Sequence, residues 1–295
     1  MKINETEIIH GENVHQNARF EASENVIDIE ISAKLDFNEI MALKKGLNLI
    51  SEFYDVNSAC SIKGCNICAV SLGQSLADAV QKVMDINPVD FISSMIVVSS
   101  EVDSETAKLF RDTNIIAAPK FTKNALEILE SHSVRYITVK TPLKDYKQYL
   151  SEEIKSTPFG VLIQNPNLSE LNKDSFKVIT KQKPSVEQIE DAIFAWKVAK
   201  HLYSQAIVIA KDLKTVALAQ CAQSSSFEFA LNYACENSKD AVLASDMPIT
   251  EFDVDVASQG RIGLIIVPEA TRDVIAKADK YSISVITTGF TNILY

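Results

Sequence analysis

Long apolar runs and a secretion signal are both missing from this chain of 295 residues. The longest apolar stretch near the C-terminal end, Ile262 to Val267, is interrupted by Gly263 and is far shorter than the about 18 residues that cross a bilayer. The first fifteen residues contain three glutamates and no apolar core, so they do not form a secretory signal. We therefore expect a cytoplasmic protein that has no membrane partner.

Glycine and cysteine are scarce, with eight and five residues, and the motifs built from them are missing. The chain has no Gly-rich phosphate loop, no Gly-x-Gly-x-x-Gly and no Gly-x-Ser-x-Gly elbow, which argues against triphosphate hydrolysis, Rossmann redox chemistry and α/β-hydrolase chemistry. Cys60, Cys65 and Cys68 have the spacing of some iron–sulfur sites, but a cluster needs four thiolates and the next cysteine is Cys221. No His-x-Glu precedes Cys65 and Cys68, as a zinc deaminase requires. We expect reduced thiols and no metal or prosthetic group.

Basic residues are outnumbered by acidic ones, 29 to 39, so the net charge is −10. This charge repels a phosphate backbone, and we expect no nucleic-acid partner, although a local anion site is compatible with it. Hydrophobic residues make up 46% of the chain, which predicts a folded protein of one large or two modest domains.

The second half of the chain repeats the first at offsets of 146 to 149 positions. An amphipathic helix over Phe37 to Phe53 has its counterpart in Val186 to Tyr203, and Lys63, which ends a strand-like run, corresponds to Lys211. Short apolar strands that alternate with helical patterns are typical of α/β sheets buried on both faces. Each unit is predicted to contain helix, strand, strand, helix, strand, helix and strand.

The repeat divides the chain into three parts. Residues 1–140 hold an N-terminal segment and the first unit, 141–184 form the connection, and 185–295 hold the second unit. Val26 to Ile31 alternates apolar and acidic residues and is expected to add edge structure. His201 ends a helical run, where a positive charge would be favourable.

Several short motifs occur in a recognisable order along the chain. They are Gly11-Glu12-Asn13-Val14-His15-Gln16, Leu35-Asp36-Phe37-Asn38, Ile62-Lys63-Gly64-Cys65-Asn66-Ile67-Cys68, Phe194-Ala195-Trp196-Lys197-Val198-Ala199-Lys200-His201, Ala206 to Asp212, Ala244-Ser245-Asp246 and Thr288-Gly289. Together they resemble the aminoimidazole carboxamide ribonucleotide (AICAR) transformylase domain, which in most organisms follows an IMP cyclohydrolase domain. The resemblance covers almost the whole chain.

The resemblance implies two cytidine-deaminase-like units without the zinc, with mixed sheets covered by helices, in agreement with the repeat. It implies formyl transfer from 10-formyltetrahydrofolate to the amine of the ribonucleotide, at sites in the interface of a homodimer or of a dimer with a family member. The expected small-molecule partners are a ribonucleotide and a folate. Since the chain begins where the transferase domain would begin, no cyclohydrolase domain is expected.

The resemblance also implies a set of site residues. The catalytic positions are Lys63, Gln205 and Asp253, and the register at the last is open because Asp255 lies close by. The substrate-binding positions are Asn13, His15, Gln16, Asn66 and Lys211.

The departures from the family pattern fall on the chemistry. Gly64 stands where the family has a His that is expected to take the proton of the amine, and loss of a general base costs about 10²- to 10⁴-fold in rate. Gln205 replaces an Asn and lengthens the amide arm by one methylene. Two family arginines suited to phosphate binding are also missing.

Two functions remain open at this point. The first is AICAR formyl transfer in purine biosynthesis by a stand-alone protein. The second is a catalytically silent family member that acts as a subunit or regulator and binds a ribonucleotide or folate. The motif Phe194 to His201 would be kept for packing in either case.

Overall fold

The computed structural model describes residues 2–3, 8, 10–21, 23–171, 176–220 and 225–295. The helices within them are α1 Phe37–Ile50, α2 Leu76–Ile86, α3 Pro88–Phe91, α4 Ser104–Ala107, α5 Lys123–Ser131, α6 Val186–Ala199, α7 Ser225–Ala234, α8 Glu251–Gln259 and α9 Arg272–Lys280. The strands are β1 Ile29–Ile31, β2 Asn57–Lys63, β3 Asn66–Gly73, β4 Met95–Val98, β5 Ile115–Ala118, β6 Arg135–Val139, β7 Glu153–Thr157, β8 Gly160–Gln164, β9 Lys177–Val178, β10 Ala206–Lys211, β11 Lys214–Gln220, β12 Val242–Ser245, β13 Leu264–Val267 and β14 Ser284–Thr287. None of the described helices is long and apolar enough to cross a membrane.

A twelve-stranded mixed sheet runs through both halves of the described chain. Its order is β1-β6-β5-β4-β2-β3-β11-β10-β12-β13-β14-β9. Strands β4, β5 and β6 are parallel, as are β12, β13 and β14, and the other neighbours are antiparallel. The predicted α/β class with mixed sheets is confirmed, and β1 provides the expected edge strand within residues 26–31.

The two halves share the sheet because β3 pairs with β11 at its centre. Ser71 lies opposite Lys214, and the hydroxyl of Thr215 accepts a hydrogen bond from the N–H of Val70 at 3.0 Å. The sequence repeat predicts sheets in each unit but contains no signal for this pairing, since the partner strands are far apart in the chain.

The structural repeat follows the sequence repeat closely. The run α1-β2-β3-α2 corresponds to α6-β10-β11-α7, and both hairpins shift register at the matching place, between Ser61 and Ile62 and between Ile209 and Ala210. Each unit ends in a further helix and strand, α5–β6 and α9–β14, which the predicted order lacks. Strand β6 mixes half-exposed with buried residues, so it has no continuous apolar run by which to recognise it.

Helices cover both faces of the sheet. Helices α1 and α6 pack on one face in a core that spans both units, while α2, α4 and α5 cover the other face of the first unit and α7, α8 and α9 that of the second. Gly46 lets α1 lie close to the sheet, because a Cβ there would be 2.4 Å from Val97 Cγ2 and 2.6 Å from Ile62 Cδ1. The sheet is therefore buried on both faces, as its apolar strands predict.

The segment between the units contains its own structure. A 3-10 helix covers Leu143–Tyr149, strands β7 and β8 form a separate two-stranded sheet, and β9 pairs with β14 at the edge of the large sheet. The division into 1–140, 141–184 and 185–295 stays a prediction.

A buried carboxylate just after α1 lies close to two lysines and a histidine. Glu52 lies 2.8 Å from Lys200, 3.2 Å from Lys147 and 3.4 Å from His201. Burial lowers the pKa of His201, although Glu52 opposes the shift. The interpretation of His201 as a favourable positive charge at a helix end is wrong, since the buried site disfavours the charged imidazole.

Candidate functional site

The turn between β2 and β3 carries the central motif of the sequence. Gly64 and Cys65 both have positive φ, 53° and 62°, and they join Lys63 to the opposite Asn66 in a two-residue hairpin turn. The amide of Asn66 donates to the carbonyl of Gly64 at 3.1 Å. A Cβ at Gly64 would meet no atom within 4 Å, so there is room for the side chain that this sequence lacks.

Lys63 lies at the exposed end of β2, where its ammonium pairs with Asp90 at 3.3 Å. Asp90 also accepts a hydrogen bond from the side-chain amide of Asn87 at 2.7 Å. The lysine side chain is 44% exposed, so this ion pair is weak and a ligand anion can compete with Asp90 for the ammonium.

The N-terminal motif forms a closed loop. The N–H of Gly11 donates to the carbonyl of Gln16 at 2.8 Å, and the amide of Asn13 donates to Gln16 Oε1 at 2.8 Å. Asn13, His15 and Gln16 are exposed. The polar groups of Asn13 and Gln16 thus shape the loop, while His15 is exposed.

This loop and the β2–β3 turn meet at the start of α1. Asn38 donates to the carbonyl of Glu12 at 3.2 Å, and its own carbonyl accepts from the Cys65 thiol at 3.4 Å. Asp36 begins the helix through a capping box with Glu39. The structure therefore brings Asn13, His15 and Gln16 into the same region as the turn that contains Gly64.

Lys45 is a buried cation of α1 near this turn that the sequence interpretation did not single out. It lies two turns after Asn38 on α1, and its Nζ is 3.6 Å from the ring centroid of Tyr203. Among the described residues this buried Nζ has no hydrogen-bond partner. Burial lowers the pKa of Lys45 to about 8, with nearby Cys65 opposing the shift. A lysine on the buried side of an amphipathic helix is the only signal the sequence offers.

The proposed residues of the second unit are held separately. Lys211 donates to the carbonyl of Lys239 at 2.8 Å. Gln205 is half-buried between two residues that both hydrogen-bond Asp246, through the Ser204 hydroxyl and, at 2.9 Å, the Ala206 N–H. Burial raises the pKa of Asp246. In this single chain no described contact joins these residues to the Gly64 turn.

Asp253 is occupied in a helix cap. Its carboxylate accepts from the N–H and the hydroxyl of Thr250, each at 2.8 Å, which completes the capping box of α8. Asp255 instead pairs with Lys277 at 2.8 Å. Neither carboxylate lies free for substrate in this chain, and the catalytic assignment of Asp253 stays a prediction.

The cysteines of the weak cluster motif do not converge. Cys60, Cys65 and Cys68 are free thiols, and burial raises the pKa of Cys68 to about 11. Cys221 lies outside the described residues. Over the described ranges no group of three or more His, Cys, Asp or Glu side chains could hold a metal ion.

Comparison with known proteins matches this duplicated α/β chain to one family. The family described as the AICARFT/IMPCHase bienzyme matches residues 2–232. The bifunctional purine biosynthesis protein PurH of Anoxybacillus flavithermus is 31% identical over 297 residues, and that of Acetivibrio thermocellus is 34% identical over 303 residues. Each alignment covers 95% of this chain and 57% of the relative, so the chain spans little more than half the length of the curated relatives it matches.

The similarity of this chain to solved structures is weak. A protein of Desulfotalea psychrophila, provisionally described as a formate dehydrogenase accessory protein, aligns with 11% identity and a TM-score of 0.26 over 41% of this chain and 56% of its own. The described chain has a duplicated α/β fold with a lysine at the end of an inner strand. Its sequence matches one family over residues 2–232. The chain belongs to the AICARFT/IMPCHase bienzyme family.

Proposed function

We propose that this chain transfers a formyl group from 10-formyltetrahydrofolate to the amine of AICAR in purine biosynthesis. The observation that carries the proposal is family membership over most of the chain, with relatives named for purine biosynthesis aligned to 95% of it. The motifs around Gly11 and Lys63 assign the aligned part to the transformylase half. A cytoplasmic location accords with this proposal and stays a prediction.

The role of Lys63 follows from its position. Its ammonium is accessible at a strand end, and its partner within the described part of the chain is Asp90, in an exposed ion pair. In this proposal it stabilises negative charge that develops on the formyl oxygen as the amine attacks. Gln205 supplies an amide to the same reaction from the second unit, which requires the site to be completed across a dimer.

The open space at Gly64 is the weak point of the catalytic apparatus. The amine is a poor nucleophile and must lose a proton, and Gly64 has no side chain to accept it where the family has a histidine. We therefore expect a rate lower than that of a relative with a base by about 10²- to 10⁴-fold.

The decisive experiment restores the base. Tetrahydrofolate formation is followed by absorbance with purified chain, AICAR and 10-formyltetrahydrofolate, for the wild type and for Gly64→His. A side chain fits this backbone, because Asp212 has the same conformation in the second unit, with φ 56°. Ser282→His is the matched control, since Ser282 is exposed, has a φ of 58° and lies after α9, away from both hairpin turns.

Gly64→His is expected to raise the rate and Ser282→His to leave it unchanged. Calorimetry with AICAR and with the folate gives the second readout. If the wild type binds neither compound and Gly64→His stays inactive, formyl transfer is excluded as the function.

A homodimer belongs to the same proposal. The β7–β8 hairpin exposes apolar side chains on both faces, with Ile154 69%, Leu162 63% and Ile163 59% accessible. Two-stranded sheets are marginal alone in water, and an exposed apolar sheet with two unpaired edges favours a partner. A second copy of this chain supplies that partner and the missing contacts of the site.

A further inference from the structure

The turn between β10 and β11 binds a carboxylate that belongs to the chain itself. Asp191, buried on α6, accepts hydrogen bonds from the N–H groups of Asp212 at 3.1 Å and Leu213 at 2.7 Å. Both turn residues have positive φ, 56° and 55°, so their N–H groups point to the same side. Two adjacent amides in this arrangement form a small anion-binding concavity.

The equivalent turn of the first unit has the same backbone but lacks the carboxylate. Helices α1 and α6 are both 14 residues long, and aligning their first residues places Ala42 over Asp191. Gly64 and Cys65 repeat the positive φ of Asp212 and Leu213. No described residue provides an acceptor for the N–H of Gly64 or Cys65.

A cation of α1, with its Nζ 3.6 Å from the ring centroid of Tyr203, also acts on this turn through its charge. Lys45 follows Ala42 by three positions and so lies on the same face of α1. Side chains of a helix point back toward its N-terminus, which directs Lys45 toward the turn, where its charge acts on Cys65. The equivalent residue of α6 is Phe194, which packs on Phe53 at a ring distance of 5.5 Å, so the core does not require a charge here.

We propose that the N–H groups of Gly64 and Cys65, together with the ammonium of Lys45, bind the carboxylate group of a small-molecule ligand. The chain shows what the turn accepts, because Asp191 binds the equivalent amides through both oxygens. The buried Nζ of Lys45 has no acceptor of its own among the described residues, and a bound carboxylate provides one.

Acidic groups also lie around the turn. Burial raises the pKa of the Cys65 thiol, Lys45 lowers it, and Glu12 and Asp36 raise it. The ammonium of Lys45 therefore offsets negative charge that disfavours an anion here. This turn also belongs to the proposed formyl-transfer site, but the carboxylate proposal does not rest on that reaction and its test does not use it.

Acetate serves as the probe in a titration of the full-length, ¹⁵N-labelled chain. The amide shifts of Gly64 and Cys65 are expected to move and to saturate with acetate, but not with chloride at equal ionic strength. Lys45→Met is expected to weaken acetate binding by about tenfold or more, since a hydrogen bond to a charged donor is lost.

Two reciprocal variants exchange the helix carboxylate between the two units. Ala42→Asp introduces the carboxylate that α6 carries and is expected to abolish the acetate response of Gly64 and Cys65. Asp191→Ala removes that carboxylate and is expected to create an acetate response at Asp212 and Leu213. The proposal is overturned if the wild-type shifts do not saturate, if chloride reproduces them, or if folded Ala42→Asp still responds.

Discussion

The positive charge of the buried Lys45 ammonium lowers the free energy of unfolding. Its pKa falls from 10.5 to about 8, first because of burial. Between pH 8 and 10.5 the unfolded chain therefore binds more protons than the folded one, and the free energy of unfolding rises with pH through this window. We expect urea unfolding to show this rise in the wild type relative to Lys45→Met, which has no group to titrate. A parallel pH dependence of the two proteins would contradict the shifted pKa.

Asp253 allows a structural role to be separated from a catalytic one. Loss of the capping box in Asp253→Ala should cost about 1 kcal/mol of unfolding free energy, while Asp253→Asn keeps an oxygen that can accept from Thr250. If the residue only caps α8, Asp253→Asn keeps both stability and formyl transfer. Loss of the rate with unchanged stability would support the catalytic assignment instead.

The sequence predicts some site residues and not others, for a physical reason. Lys63 and Lys211 end strands with clear apolar patterns, so their equivalence is visible in the alignment of the two halves. Asp191 and Lys45 lie within helices. A single charged residue on the buried side of a helix does not by itself predict a functional site. Only the folded structure shows that Asp191 binds turn amides and that Lys45 Nζ has no acceptor among the residues that the structure describes.

Among the secondary-structure elements, the junction of α1, α6 and the connecting segment depends on one carboxylate. Burial would raise the pKa of Glu52, but His201 and Lys200 hold it well below its ordinary value. Glu52→Gln leaves buried cations without a counter-charge, and we expect a loss of about 3 to 5 kcal/mol in the free energy of unfolding. Glu170→Gln is the control, because Glu170 also pairs with Lys147 but is 75% exposed. If both substitutions lowered the free energy of unfolding equally, the burial of Glu52 would not explain its contribution to stability.

The local sequence predicts only part of the pairing between strands. Apolar runs identify β2, β4, β5 and their repeats because those strands are buried on both faces. Strand β6, which lies next to the edge strand β1, and the central pairing of β3 with β11 are less visible. Strand β6 is partly exposed, and the central pairing joins residues about 140 positions apart, such as Ser71 and Lys214. Local patterns therefore predict the layers better than the order of the strands.

For the molecule as a whole, the exposed hairpin is the surface at which we propose that a second copy binds. Ile154 lies opposite Ile163 on one face of the hairpin, while Leu162 projects from the other, so neither face resembles an ordinary polar surface. Phe159 at the turn is fully accessible. The hairpin is tied to the C-terminal end, where Lys155 donates to the carbonyl of Tyr295 at 2.8 Å.

Ile163→Lys tests this interface without disturbing the core. Since Ile163 is already exposed in the single chain, the substitution should cost the folded chain little, whereas a charge buried between two copies is strongly unfavourable. Sedimentation equilibrium at micromolar concentration is expected to give a dimer for the wild type and the 32.6 kDa monomer for Ile163→Lys. Val186→Lys, at an equally exposed valine outside the hairpin, should remain dimeric. A monomeric wild type would rule out the dimer. A dimeric Ile163→Lys would show that the dimer interface lies outside the hairpin.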